Sequence, residues 1–373
     1  MASSTIHANN VVTKWLNDVS REYVRASRFS KYQGTSSNNV ITIKEGLKTV
    51  SIPLVAKLPK TGGVSGSATL AGNEAVLANY AMTLTPTYLR NGVLIDNEEN
   101  EKAEFDLFKE ARPQLMSWAK EQQRDGIIEA MGAIWNGTTY ANYGSSAAAA
   151  NDTWVTNNSD RILYGSAKAN LTAGDHTTSL ATIDTTSDKL DAGIVTLAKR
   201  MAKNASPIIA PIQTKGDEDW YVYFVDSYGF RDLKEDSTIA QANREAWQRG
   251  ADNPIFTGGD LLYDGVIIRE IEEISSMIDG STGTDGVWGG AATADGLNTA
   301  GASSSRVGVG FMCGQQAVAY GLGKMPEFKR RKEDDYEFQN GVGIQLKHQI
   351  KKAYFNLKQH GMVTTFFSAA VDA

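Results

Sequence analysis

The longest helical pattern of the sequence, residues 101–135, constrains the fold more than any other segment. Its apolar side chains recur every three or four residues, and this spacing predicts one buried helix face, which Phe108, Ala111, Leu115, Trp118 and Gln122 begin and Ile127, Met131 and Ile134 continue. Pro113 is expected to kink or restart the helix, because proline has no amide proton to donate. From Pro113 to Trp135 the helix would still span roughly 35 Å. A helix of that length needs a core packed along it.

Strand patterns flank this helix on both sides. Residues 39–95 form two strand groups joined by a polar, glycine-rich tip at 59–72, and such an extended β-loop buries little by itself. The second half alternates helices and strands. Helices are expected at 187–204 (with Asp188 as the N-cap), 227–236, 237–250 and 315–323, and strands at 220–226, 306–314, 340–358 and 361–371, with an Asp-Gly hairpin at 261–268. The sequence therefore predicts an α+β fold.

Two stretches, 136–186 and 275–305, are rich in Gly, Ala, Ser, Thr and Asn and have few large apolar residues. We expect them to be surface insertions carried by the core. The net charge of −6 argues against a protein that coats nucleic acid with a basic face, although a local basic patch remains open. A single cysteine, Cys313, excludes an intramolecular disulfide and a multi-cysteine zinc site. No apolar run indicates a signal peptide or a membrane span.

One acidic segment suggests chemistry. If residues 263–274 form a strand, Glu270 and Glu272 lie on the same face, about 7 Å apart, a separation compatible with the two carboxylates of a glycosidase. Because Arg269 and Glu273 make the other face polar as well, a solvated strand end is the preferred interpretation. The four histidines are scattered, Cys313 fits a buried strand, and no cofactor or metal motif is present.

The densest charge pattern is EFKRRKEDDYEF, residues 327–338. Basic residues come first and acidic residues follow, so each half could meet the opposite charge on a second copy of the chain. A solvated strand edge is an equally good interpretation. The candidate contact residues are Lys329, Arg330, Arg331, Lys332, Glu333, Asp334 and Asp335.

Four segments, 105–128, 220–236, 253–274 and 309–324, together resemble the major capsid proteins of tailed bacteriophages of the podophage type. The resemblance implies the Johnson fold, which herpesvirus capsids share. It would place an N-terminal arm at 1–35 and an extended β-loop at 36–95. A peripheral domain with a spine helix would follow at 96–204, an apical domain at 205–325, and C-terminal strands completing the peripheral domain at 326–373.

The resemblance also implies a function. Copies of the chain would assemble as pentamers and hexamers into an icosahedral shell that encloses double-stranded DNA, bound without sequence specificity. Portal, scaffold and decoration proteins would be further partners, with synthesis in the bacterial cytoplasm. Lys57 and Lys60 lie near the loop tip, where some capsid families crosslink a lysine to an asparagine, although a solubilising role is simpler. The alternatives are a carbohydrate-active hydrolase that uses Glu270 and Glu272, or a capsid decoration protein.

Overall fold

The structure is a computed structural model that describes residues 27–46, 48–58, 63–102, 106–135, 140–141, 143, 147–172, 174–213, 219–247, 261–279, 288–289, 296–331 and 339–372. The helices within these residues are α1 Asn97–Lys102, α2 Leu107–Gly132, α3 Ala148–Asn157, α4 His176–Ala181, α5 Ala192–Asn204, α6 Ser227–Glu235, α7 Ser237–Trp247 and α8 Glu272–Asp279. The strands are β1 Gln33–Gly34, β2 Ile41–Glu45, β3 Val50–Val55, β4 Asn79–Leu84, β5 Thr87–Asp96, β6 Ile134–Trp135, β7 Tyr140–Ala141, β8 Ile162–Tyr164, β9 Ile212–Gln213, β10 Asp219–Val225, β11 Leu261–Tyr263, β12 Val266–Glu270, β13 Val307–Cys313, β14 Val318–Arg330, β15 Gln339–Lys352, β16 Tyr354–Phe355, β17 Lys358–Gln359 and β18 Met362–Ser368.

The chain divides into two units. The larger unit holds the described parts of 28–86, 124–323 and 348–373 and is built on a mixed sheet in the order β11-β12-β10-β13-β18-β8, with β9 paired to β10. Strand β10 runs parallel to β12 and antiparallel to β13, and β8 lies parallel to β18 at the edge. Every residue of β13 and β18 is buried, so both faces of this sheet must be covered.

Alternate residues of the sheet face two separate apolar clusters. One cluster joins Phe224, Val309 and Phe366 to the second half of α2 and to α3, α4 and α8. The other joins Tyr223, Met312 and Phe367 to α5, α6 and the start of α7. Because strand side chains alternate between faces, this arrangement gives three layers, helices on each side of one sheet.

The smaller unit is formed by the described parts of 87–123 and 324–347. Here β14, β15 and β5 are neighbours in a sheet, and α2 packs on it through Ala111, Leu115 and Ala119, one residue per turn. The partners of this helix face are Val342, Ile344 and Leu346 of β15, with Leu89, Ile95 and Phe328 partly buried beside them. The helix face expected from the sequence is therefore confirmed at Ala111 and Leu115, while Trp118 and Gln122 are half-buried. The side chain of Phe108 lies outside the described residues.

The β-loop is a two-stranded ribbon in which β3 pairs antiparallel with β4, from Val50 opposite Leu84 to Val55 opposite Asn79. Its inner side chains pack with Ala319, Ala353 and Phe355. Nearby, β2 runs parallel to the first residues of β14, with Ile41 opposite Val318. The ribbon is thus anchored at its base, and this is the part of the loop that has a core.

Helix α2 continues through Pro113 and so does not restart there, because losing one amide donor in a 26-residue helix leaves the rest of the ladder intact. Two other local expectations are wrong. The N-cap of α5 is Asp191, whose Oδ1 accepts from the amide of Ile194 at 2.8 Å. Asp188 instead accepts from Ser166 and so fixes a different loop. Residues 318–323, expected to be helical, begin strand β14, because a short apolar run without a period does not distinguish a buried strand from a helix.

The two stretches expected to be surface insertions contribute several buried residues to the core where they are described. Residues 136–186 supply β8 of the central sheet, and Trp154 and Tyr164 lie in the core. His176 is enclosed with them, with its Nε2 2.8 Å from the Tyr143 hydroxyl and its Nδ1 2.5 Å from the Tyr164 hydroxyl. In 275–305, Trp288 is 1% exposed and contacts Phe311 of β13. Both stretches consist mostly of small residues, but a few large side chains among them, such as Trp154 and Trp288, pack on one face of the sheet.

Trp288 gives a test of this packing. A Cβ built on Gly132, at the end of α2, would lie 2.3 Å from the Trp288 ring, whereas a Cβ on Gly126 would meet only the terminal methyl of Ile350, at 3.3 Å. Gly132→Ala should therefore lower the free energy of unfolding by about 1–3 kcal/mol. The matched Gly126→Ala should be neutral or stabilise by up to about 1 kcal/mol, because alanine favours the helix. Urea unfolding followed by tryptophan fluorescence measures both, and equal effects would show that Trp288 does not pack on Gly132.

Candidate subunit interface

The distal part of the β-loop is exposed and apolar. All described residues from 63 to 79 are exposed, and among them Val76 reaches 87% exposure. The large exposed apolar side chains of the loop are Val55, Leu58, Val64, Leu70, Val76 and Leu77. Apolar side chains concentrated in one exposed segment are typical of an interaction surface, whereas single scattered ones are ordinary on any protein surface. Lys57 lies exposed in this segment, and Lys60 lies outside the described residues.

A groove of about 760 Å³ lies at the base of the ribbon, within the larger unit. It is lined by residues 54–58, Tyr80, Arg161, 205–208, 355–356 and 358–360. The rim is apolar and exposed, with Ile208 65% and Val55 61% accessible. The floor contains Arg161 and Gln359, which are fully buried. Lys57 is therefore both a residue of the loop and a residue of this groove.

The groove has a net positive charge. Its lining holds Lys57, Arg161 and Lys358 and no acidic residue. Asp160 lies behind it, accepting from Arg161 at 3.2 Å and lying 3.5 Å from Lys358. Burial alone would raise the pKa of Asp160, but the hydrogen bond from Arg161, a second from the Ser206 amide and the adjacent positive charges lower it. With that carboxylate charged, three cations against one anion leave a net charge of +2. Burial and the charge of Arg161 lower the pKa of His360, so it adds no charge at neutral pH.

The charge-rich segment 327–338 is only partly described. Glu327 forms ion pairs with Lys324 and Lys329, and these contacts lower the pKa of Glu327 to about 2. Arg330 donates to Asn340 at 3.0 Å, and the amide of Arg331 donates to the carbonyl of Gly341 at 2.8 Å. Lys332, Glu333, Asp334 and Asp335 lie outside the described residues. The described half is thus held along its own sheet, and its contact with a second copy stays a prediction.

The structure does not place Glu270 and Glu272 as a catalytic pair. Strand β12 ends at Glu270 and α8 begins at Glu272, so the single strand expected over 263–274 is wrong. The Arg28 guanidinium contacts both residues, because it donates to the Glu270 carbonyl oxygen at 2.7 Å and to the Glu272 carboxylate at 3.1 Å. Glu273 is paired separately with Arg124 at 3.2 Å. These acids neutralise arginines at the turn between strand and helix.

The contact of Arg28 fixes the chain that follows it. Phe29 is fully buried and packs edge-on against Phe224, with ring centroids 5.0 Å apart, and Tyr32 packs on the same ring at 5.5 Å. Segment 28–32 is therefore attached to the end of the central sheet by one charged and two aromatic contacts. The rest of the expected arm, residues 1–26, lies outside the described residues.

Other titratable groups are buried without a catalytic arrangement. Burial raises the pKa of the Cys313 thiol, which makes it a poor nucleophile. Lys352 is fully buried, donates to Gln359 Oε1 at 3.2 Å and lies over the Trp154 ring, and its burial lowers its pKa to about 7. Within the described residues, no three His, Cys, Asp or Glu side chains are arranged to hold a metal ion. The described helices include none with the length and apolar composition of a membrane span.

The groove could not be predicted from the sequence, because its lining residues come from five separated segments. Lys57 and the exposed apolar residues of the loop could be found, since they fall in one glycine-rich stretch. Residues 205–208 and 355–360 carry no local signal. The exposed side chain of Ile208 lies in the apolar run PIIAP, residues 207–211, which does not by itself indicate a surface site.

Comparisons with known proteins agree with one another. The family profile described as "Phage capsid protein" matches residues 4–369. The major capsid protein of Pseudomonas phage KPP25 is 22% identical, with 97% of this chain and 96% of that protein aligned. The solved capsid asymmetric unit of cyanophage Pam1 is 34% identical and covers 100% of both chains with a TM-score of 0.89. The capsid of Ralstonia phage GP4 covers both chains fully with 21% identity and a TM-score of 0.70.

The Arg28 contact predicts how substitutions at the strand-to-helix turn behave. Arg28→Ala removes both hydrogen bonds and should lower the free energy of unfolding by about 1 kcal/mol, a modest value because the ion pair is partly exposed. Glu270→Gln should change it by less than about 0.5 kcal/mol, because the carbonyl of residue 270 still accepts from Arg28. Chemical unfolding measures both values. A Glu270→Gln loss as large as that of Arg28→Ala would show that the Glu270 side chain carries the contact.

Proposed function

Since the chain belongs to the phage capsid protein family and is a major capsid protein, we propose that its copies close into an icosahedral shell around double-stranded DNA. The chain has the α+β Johnson fold of tailed-phage capsids, and its copies associate into the capsid of the virion. The observation that carries the proposal is the full-length match to the Pam1 capsid subunit at 34% identity.

The surfaces of the subunit support this role. A shell subunit must bury part of its surface on several neighbours, and its contacts need large apolar areas. The distal β-loop exposes four large apolar side chains, Val64, Leu70, Val76 and Leu77, and a groove with an apolar rim lies at its base. We propose that Lys57, Lys60 and the charged run Lys329, Arg330, Arg331, Lys332, Glu333, Asp334 and Asp335 contact other subunits. Lys57 supports this best, because it lines the groove.

The finer organisation is proposed on the same basis. The arm would be 1–35, the extended loop 36–95, the peripheral domain 96–204 with C-terminal strands 326–373, and the apical domain 205–325. Rings of five and six subunits would be the assembly units. Portal, scaffold and decoration proteins would bind the shell, and the DNA inside would be bound without sequence specificity. We place synthesis in the bacterial cytoplasm.

We propose that the role is structural and that Glu270 and Glu272 do no chemistry. Both carboxylates face the guanidinium of Arg28, at 4.0 and 3.1 Å, and neither lines the groove. A retaining glycosidase needs two carboxylates about 5 Å apart that flank a substrate cleft, and an inverting enzyme needs a wider gap. An ion pair that holds both acids against an arginine does not provide such a cleft.

Assembly is the direct test of the proposed function. The purified chain, alone or with its phage's scaffold protein, should sediment as rings of five or six subunits or as closed shells. Electron microscopy of the same fractions should show particles of uniform diameter. A chain that stays monomeric over a wide concentration range with every phage partner present would overturn the proposal.

The loop tip provides a second test. Replacing residues 59–72 with Asn-Gly should leave the melting temperature of the isolated subunit nearly unchanged, because the described part of the tip is exposed. Assembly should stop at small species, because the apolar side chains of the tip would no longer reach a neighbour.

A matched variant separates the effect of loop length from the effect of the apolar side chains at the tip. Val64→Ser with Leu70→Ser keeps the full loop length, and a milder assembly defect is expected because the remaining loop contacts are retained. Shells of normal size and stability from the shortened chain would make the loop a passive surface hairpin.

A further inference from the structure

We infer that the basic groove at the base of the β-loop receives the acidic segment 96–106 of a second copy of this chain. The inference rests on the proposed function and adds to it a specific, head-to-tail contact. The groove is the one defined above, lined by residues 54–58, Tyr80, Arg161, 205–208, 355–356 and 358–360.

The groove has the properties of a protein docking site. Its rim is formed by exposed aliphatic side chains, Val55, Leu58 and Ile208, and its floor by buried polar groups. Arg161 is held rigidly, since it donates to the carbonyls of Gln359 and Pro207 and to the Asp160 carboxylate. A fixed floor and an apolar rim favour a peptide segment over a small hydrated ion, because only a segment would cover the rim.

Charge selects the occupant. With a net charge of +2 the groove favours an acidic partner. Residues 96–106, DNEENEKAEFD, hold six acidic residues and one lysine, a net charge of −5, and no other eleven-residue stretch of the sequence has as many acids. Part of this segment is helix α1, in which Glu98 forms an ion pair with Lys102 at 2.8 Å and its side chain is 66% exposed. Glu101 is also exposed.

The contact would be heterologous, because groove and segment are different surfaces of the chain. A heterologous contact that closes produces a ring, the kind of assembly unit a shell of many copies requires. Because Lys57 of the groove and Glu98 and Glu101 of the segment are exposed, the attraction should weaken as ionic strength rises.

A charge swap tests the inference. Lys57→Glu with Ile208→Glu changes the groove from +2 to −1 through two exposed positions, so the fold should be kept. This variant should reduce the assembled fraction, measured by sedimentation, by roughly tenfold or more, because acidic groups would then face acidic groups. Glu98→Lys, Glu99→Lys and Glu101→Lys change the segment from −5 to +1 and should impair assembly in the same way. Combining both sets restores opposite charges and should recover assembly.

The control is Lys48→Glu with Val371→Glu, the same two changes at exposed positions away from the groove. It should assemble like the unmodified chain. Failure of the unmodified chain and the control to assemble would count against the proposed function. Normal assembly of the groove variant, or no recovery in the combined variant, would overturn the inference alone. Shells that form normally but retain less DNA would assign the groove to phosphate groups, and would overturn it too.

Discussion

Burial of both faces of one sheet is the constraint on which the rest of the larger unit depends. Strands β13 and β18 expose none of their residues, so each face needs a cover. Helices α5, α6 and α7 cover one face, and the second half of α2 with α3, α4 and α8 covers the other. The close fit is visible at Gly308 and Gly310, where a Cβ would lie 2.6 Å from Phe367 and from the Tyr223 hydroxyl. The sheet admits only small residues at those points because its neighbours are already in place.

Segments with a regular apolar spacing were predictable from the sequence. The segments that pack on a face of the central sheet through single large side chains were not. The long helix, the strands at 219–225, 307–313 and 362–368, and the Asp-Gly hairpin follow from apolar spacing and turn chemistry, and all are present. Composition did not indicate the buried anchors of 136–186 and 275–305, where Trp154 and Trp288 are isolated among small polar residues and still reach the core. A single large side chain produces no period, so only its partners in space reveal its role. Residues 318–323 likewise form a short apolar run without a period, which does not distinguish a strand from a helix.

For the candidate interface, the glycine-rich loop could be predicted from the sequence, but the groove that it forms with distant segments could not. The glycine-rich loop, with Lys57, was recognisable because its polar tip contrasts with the strands around it. Its groove partners 205–208 and 355–360 come from distant parts of the chain. Glu270 and Glu272 show the opposite error. Their spacing suggested a shared strand face, but a strand-to-helix turn separates them. An arginine 242 residues before Glu270 donates to the Glu270 carbonyl oxygen and pairs with the Glu272 carboxylate. Local periodicity contains no information about that partner.

The single cysteine has a practical consequence. Cys313 is fully buried in β13, and its burial keeps the thiol protonated. The folded chain therefore offers a thiol reagent no reactive sulfur, since the sequence contains no other cysteine. A cysteine introduced at any exposed position can be labelled alone, without first removing a native one. The native thiol then reports the opening of the central sheet, because it reacts only when that core comes apart.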